Sequence, residues 1–190
     1  NNISLSEKGI AERIEYFQQA ILAFERAGYI DRLAGILGNL AIVYSDLGLY
    51  AHSKRQSNQA IEMSRRIGAK VGLAYALGNL ISAEIFTGAF DKARLHLEEL
   101  EKLAPNTDVN TLQTLAGNKG DLAFAQNDFK SAIRHYKSSL KIVRNADLQL
   151  DYILLTELGK TYLASQEPLS ALKATTRATD LHRAQSFPNI

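Results

Sequence analysis

Three Gly-Asn pairs stand at regular distances along the chain: Gly38-Asn39, Gly78-Asn79 and Gly117-Asn118, spaced by 40 residues (38 to 78) and then by 39 (78 to 117). A carboxamide carries both a donor and an acceptor, so it can pair with a peptide group in either direction. Repeated at a fixed spacing, such side chains could grip the main chain of another polypeptide, which is recognition rather than reaction. Other chemistry finds less support. His52, His96, His135 and His182 are isolated, and no two have the i, i+4 spacing of a metal site on a helix. Gly159-Lys160-Thr161 has the ending of a phosphate-binding loop, but Leu154 stands where that loop needs its first glycine, and no strand precedes it. Glu98, Glu99 and Glu101 have no nucleophile or base beside them and read as a solvated helix face. No catalytic residue, metal or cofactor is expected.

The elements that must position the asparagines are helices. The first pair lies among Leu33, Ile36, Leu37, Leu40 and Tyr44, an apolar set with helical spacing. Roughly ten residues after each pair comes a turn: Leu47-Gly48-Leu49-Tyr50, Thr87-Gly88-Ala89-Phe90, then Gln126-Asn127-Asp128-Phe129. A second helix follows each time, so the repeating unit is two helices. Such a unit cannot bury its apolar face alone and is stabilised by stacking on its neighbours. Helices are expected near 6–27, 30–48, 51–68, 70–87, 91–103, 108–126, 129–146, 148–165 and 168–187. Ser4 with Glu7 reads as a capping box, and Gly28 and Gly68 as left-handed C-terminal caps. Asp128 and Glu167 precede helices, Pro168 falls at a first helical position, and Pro105 with Asn106 closes the shortest helix. No segment alternates long enough to predict a strand.

The totals exclude several classes. A formal net charge of +2 gives no strong field for nucleic acid or an anionic membrane. No apolar run approaches the ~18 residues that span a bilayer. With no cysteine there is no disulfide framework, which fits a cytoplasmic protein. Asn1-Asn2-Ile3 has neither an initiator methionine nor a signal pattern, so the chain is expected to be a piece of a larger protein.

The motifs resemble tetratricopeptide repeats, whose signature is a large residue, Leu-Gly, Tyr, then a downstream small residue, aromatic and proline. Leu155, Leu158-Gly159, Tyr162, Ala171 and Ala178 fit it best. Leu37, Leu40-Ala41, Tyr44, Gly48, Tyr50 and Ala60 form an earlier copy, followed by Leu77, Leu80, Gly88, Phe90, Ala93 and Leu97, then by Gly120, Phe129, Ala132 and Tyr136. Phe17 and Ala20 match a lone second helix. The spacing exceeds the usual repeat of about 34 residues and is similar to the kinesin-light-chain-like subgroup found in bacterial signalling proteins. The resemblance implies an all-α, right-handed superhelix, an α-solenoid: a leading helix at 6–27 and repeats at 30–68, 70–105, 108–146 and 148–187.

It further implies a groove lined by the first helix of each repeat. The family's groove-facing positions fall on Asn39, Asn79, Asn118 and Glu157 as one column and on Ile42, Ser82, Asp121 and Lys160 as a second, with Tyr75, Asp46, Phe86 and Phe124 as neighbours. The asparagines either hold a bound peptide or bond a neighbouring helix, and the glycines before them either admit a ligand or serve helix packing. Glu84 and Lys119 depart from the pattern: they form a partly buried pair or reach water separately. Lys54, Arg55, Arg65 and Arg66, and then Lys130, Arg134, Lys137, Lys141 and Arg144, make two second helices basic and read as solubilising surface. Leu169, Leu172, Ala178 and Leu181 leave the last helix without a polar outer face, so further repeats, or self-association through that helix, are expected. The function implied is a non-catalytic scaffold for a protein or extended peptide. An intramolecular sensor arm of a bacterial cyclase, kinase or transcription regulator, bound to its own output domain, and a nucleic-acid-associated solenoid are the alternatives.

Overall fold

The computed structural model describes residues 2–104, 107–146 and 151–186. These form α1 (Asn2–Ala27), α2 (Ile30–Asp46), α3 (Tyr50–Arg66), α4 (Lys70–Phe86), α5 (Phe90–Leu103), α6 (Val109–Ala125), α7 (Phe129–Asn145), α8 (Asp151–Ala164) and α9 (Pro168–Ser186), with no strand among the described residues. Two compact units result: Asn1–Thr107 carries α1–α5, and Asp108–Ile190 carries α6–α9. No helix among the described residues is long and apolar enough to cross a membrane.

One turn recurs in both units. An amide reaches back over a full turn to the carbonyl five residues earlier: Leu49 N donates to Tyr44 O at 2.8 Å, Ala89 N to Glu84 O at 2.9 Å, Asp128 N to Ala123 O at 2.9 Å and Glu167 N to Tyr162 O at 2.8 Å. The residue before each donor must take positive φ. Gly48 and Gly88 do so freely (72° and 71°), whereas Asn127 and Gln166 hold 64° with a side chain present. Gly28 and Gly68 are the left-handed caps the sequence predicts, at 71° and 67°. Asp128 caps α7 by accepting from Ser131 N at 3.0 Å, and Pro168 opens α9. The capping box at Ser4 is corrected: α1 starts at Asn2, so Ser4 has the helical backbone that a capping residue lacks. Neither Gly nor Pro precedes it to interrupt the helix. Pro105 and Asn106 lie outside the described residues.

In unit 1, α2 packs on α1, α3 and α4, and α4 also on α3 and α5. Leu37, Leu40, Ala41, Leu77, Leu80, Ile81 and Ala83 make the centre of its core. The buried face of α3 is small and polar, with Ser53, Gln56, Ser57, Ala60, Ile61 and Ser64, so neighbouring backbones come close. Glu84 is corrected as well: it does not reach water, being 3% exposed, and the partner it meets within unit 1 is His96, whose Nδ1 lies 2.9 Å from Oε2. In unit 2, α7 packs on α6 and α8, and α8 on α9, around Ala132, Tyr136, Leu140, Val143, Leu154, Leu155 and Leu158. Of the apolar residues on α9, Ala178 faces this core while Leu169 is 83% exposed.

The Tyr136 ring lies on Gly120 so closely that a Cβ there would stand 2.6 Å from Cε1. Gly35, also inside a helix, has nothing within 4 Å of its would-be Cβ. Gly35→Ala should therefore raise stability by roughly 0.5–1 kcal/mol. Gly120→Ala should lower it by about 1–3 kcal/mol, because the buried ring must shift. Urea denaturation of both variants checks this, and a Gly120→Ala protein as stable as the parent would refute the close approach.

Candidate functional site

Helical spacing places Asn39, Ile42 and Asp46 along one stripe of α2, and Asn79, Ser82 and Phe86 along the matching stripe of α4. The two helices are in contact, and the first residues of each stripe are tied to the neighbouring helix. The Tyr75 hydroxyl donates to Asn39 Oδ1 at 2.9 Å, and Asn79 Nδ2 donates to the Gly38 carbonyl at 3.1 Å. Burial pushes the Tyr75 phenol up, partly offset by a hydrogen bond from Asn79, so it stays a neutral donor. The Tyr75 ring covers Gly38, where a Cβ would stand 2.7 Å from it. These bonds occupy one group of each carboxamide and leave the other group available.

Beyond them the stripes diverge around a cleft of about 390 Å³, which brings together Ile42, Asp46, Asn79, Ser82 and Phe86 with Tyr50 and Ser53 from the start of α3. Phe86 is 65% exposed, and its ring stacks on Tyr50 at 5.2 Å with only 8° between planes. Ser53 Oγ is fully buried and has no hydrogen-bond partner among the described residues. The arrangement offers an aromatic wall, an apolar Ile42 and several polar groups at short range, which suits a peptide main chain and one side chain.

The remaining predicted residues lie in unit 2. Asp121 accepts from the Tyr136 hydroxyl at 2.6 Å. Burial raises its pKa to about 6; the Tyr136 hydrogen bond opposes this, the Glu157 charge adds to it, and Lys160 lowers it. Lys160 Nζ bonds Glu157 Oε1 at 2.7 Å, so Asp121, Glu157 and Lys160 form one electrostatic group. Asn118 is buried. Phe124 is half-buried and packs on Phe129 at 5.7 Å. Among the described residues no three His, Cys, Asp or Glu side chains are grouped to hold a metal ion. Two histidines lie against aromatic rings, His52 on Tyr44 and His182 on Tyr152.

No family model matches the chain. Transcriptional activator NprA of Geobacillus stearothermophilus is 28% identical over 163 residues, covering 85% of this chain and 37% of that protein. The chain thus spans little more than a third of the curated relative it matches. A Rap protein crystallised with Competence and Sporulation Factor superposes with a TM-score of 0.80 at 17% identity, over 98% of this chain and 52% of that one. BtubC (BKLC) from P. vanneervenii gives 0.63 at 20% identity over 98% and 78%, and the apo form of RapI gives 0.66 at 13% over 91% and 71%.

The fold is that of the tetratricopeptide-type helical repeat proteins.

Within the tetratricopeptide-type frame, two lining residues escape sequence reasoning for definite reasons. Tyr50 reads as part of the turn signature, yet its stacking on Phe86 makes it a wall of the cleft. Ser53 has no periodic partner, and only the approach of α3 to α2 and α4 shows where its hydroxyl ends.

The native state holds the Asp121 proton up to about pH 6, while an unfolded aspartate releases it near 4. Ionised Asp121 is therefore a native-state cost that grows between those values and is fully present above them. Asp121→Asn keeps an acceptor for Tyr136. It should add roughly 1–2 kcal/mol of stability at pH 7 and almost nothing at pH 4. Denaturation curves at both pH values test this; an equal effect at both would rule out the buried acid.

Proposed function

We propose that this chain is a non-catalytic binding module that holds an extended polypeptide segment, with the α2–α4 cleft of unit 1 as a principal contact. In this reading α2–α3, α4–α5, α6–α7 and α8–α9 are four repeats, and α1 is half of another. The carrying observation is convergence: five residues that the family resemblance picks out, Ile42, Asn79 and Ser82 as groove-facing positions and Asp46 and Phe86 as neighbours, line one cleft of about 390 Å³. Asn79 Oδ1 and the Ser82 hydroxyl offer an acceptor and a donor to a passing main chain. The exposed Phe86 ring, braced by Tyr50, gives a side chain something to pack on. Because packed helices hold these groups, little ordering cost falls on the scaffold. The Rap protein's structure as a complex with Competence and Sporulation Factor supports the reading by analogy of fold.

A second reading is favoured by the likeness to a transcriptional activator. The chain would be the sensor arm of a longer regulator, and the polypeptide it holds would control that protein's own output part.

Panning a random peptide library on the parent chain supplies the probe. Ser82→Trp, which fills the cleft, and Phe86→Ala should each weaken the selected peptides by about tenfold or more, equivalent to at least ~1.4 kcal/mol. Both side chains lie at the cleft rather than in the core, so melting temperatures should stay near the parent's. Selected peptides that bind both variants as tightly as the parent would sink the assignment.

A further inference from the structure

The α1–α2–α3 triple of unit 1 and the α7–α8–α9 triple of unit 2 each carry a cleft at the same place. Two helices wall it and the helix between them supplies the floor: Leu37, Leu40 and Tyr44 in one, Leu155, Leu158 and Tyr162 in the other, each residue 118 positions after its counterpart. The cleft volumes are about 420 and 570 Å³. The fold makes this cleft twice, so its existence alone says nothing about function. The rim does. Where α1 presents Gln18, Leu22 and Glu25, α7 presents Lys137, Lys141 and Arg144. Where α3 presents Arg55 and Gln59, α9 presents Lys173 and Arg177.

Five cations thus surround one cleft, against one cation and one carboxylate around its twin. Arg144 is committed to Asp151, with Nε 2.7 Å from Oδ2, and the Lys137 ammonium sits 5.7 Å from the centre of the Tyr162 ring. Among the described residues no carboxylate comes within 4.0 Å of Lys141, Lys173 or Arg177. Exposed cations gathered at one cleft repel each other and draw a complementary anion. Leu155 and Leu158 of the floor, with Leu140 and Ala174 from the walls, give the cleft an apolar lining. A nucleic acid would gain nothing there, since it holds on through phosphates and stacked bases, and the aromatic ring at hand already carries Lys137.

We propose that this cleft docks an acidic segment of a partner protein. One apolar side chain is seated over Leu155 and Leu158, and flanking carboxylates meet Lys141, Lys173 and Arg177. Read along the sequence, the cations of α7 look like solubilising surface because those of α9 belong to a separate run; the α7–α8–α9 packing gathers them on one cleft.

The probe is a labelled, glutamate-rich peptide with single leucines one helical turn apart, titrated against the full chain at low salt. Lys141→Glu with Arg177→Glu should weaken binding by about tenfold or more. Arg55→Glu with Arg66→Glu, an equal change in net charge on α3, should weaken it by no more than about threefold. Replacing the leucines of the peptide by serine should also weaken it by about tenfold. Equal losses in the two double variants, no gain from the leucines, no binding to the parent, or tighter binding of a single-stranded oligonucleotide would each overturn the proposal. If the charge reversal disturbs folding by circular dichroism, Lys141→Gln with Lys173→Gln replaces it, read against the same outcomes.

Discussion

The close approach of helices at positions without side chains is the constraint on which the rest of this structure depends. Gly38 lies under the Tyr75 ring, Gly120 under the Tyr136 ring, and Gly159 against the Thr175 methyl, each so near that a Cβ would stand 2.7 Å or less from the neighbour. A two-helix unit has an apolar stripe it cannot cover alone, and close contact with the next helix is what covers it. The same device appears in both units. A tyrosine ring fills the space a glycine leaves, and its hydroxyl donates to the residue directly after that glycine, Asn39 in one case and Asp121 in the other. The ring supplies buried area and the hydroxyl fixes rotation, since it meets its acceptor in only one orientation of the two helices.

That lock determines what lies further along the same stripes. With Tyr75 tied to Asn39 and Asn79 to the Gly38 carbonyl, α2 and α4 are held together near their middles. Ile42 and Asp46 then stand on one side of an opening, Ser82 and Phe86 on the other, and the first turn of α3 closes its base with Tyr50 and Ser53. A buried serine hydroxyl with no partner carries a desolvation cost of about 1–3 kcal/mol. Ser57 and Ser64 share that state, so the small, polar buried face of α3 is a property of the whole helix. Ser53 differs from them in bordering the cleft, with its hydroxyl covered.

Much of this was legible before any coordinates, because it depends on spacing. Apolar periodicity and the recurring Gly-Asn and turn motifs gave helices in pairs, and Gly28 and Gly68 gave their left-handed caps. The resemblance to tetratricopeptide repeats pointed to Ile42, Asn79 and Ser82 as groove-facing positions, with Asp46 and Phe86 as their neighbours. What stayed hidden depends on how far each helix is rotated against its neighbour, which a 3.6-residue pattern does not specify. Glu84 and His96 are twelve positions apart on α4 and α5, and nothing in the sequence distinguishes His96 from His52 or His182. The bonds of Asn39 and Asn79 across α2 and α4 were one of two open alternatives for the same reason. Gln166 at φ 64° has no sequence signal, since the turn geometry imposes a conformation its residue type disfavours.

The contrast between the α1–α2–α3 and α7–α8–α9 clefts separates what the repeat dictates from what it leaves free. Both floors keep leucines and a tyrosine at matched positions, because those residues pack the triple together. The rims take no part in that packing, and they diverge from neutral to strongly basic. A fold under selection for stability alone would not gather five cations on one cleft, since their mutual repulsion opposes compaction. It can tolerate them because the heads stand in solvent, where salt screens them over about 8–10 Å. The charge is therefore cheap to carry and costs nothing in the core, which is the condition under which a repeat surface can change its partner without changing its shape.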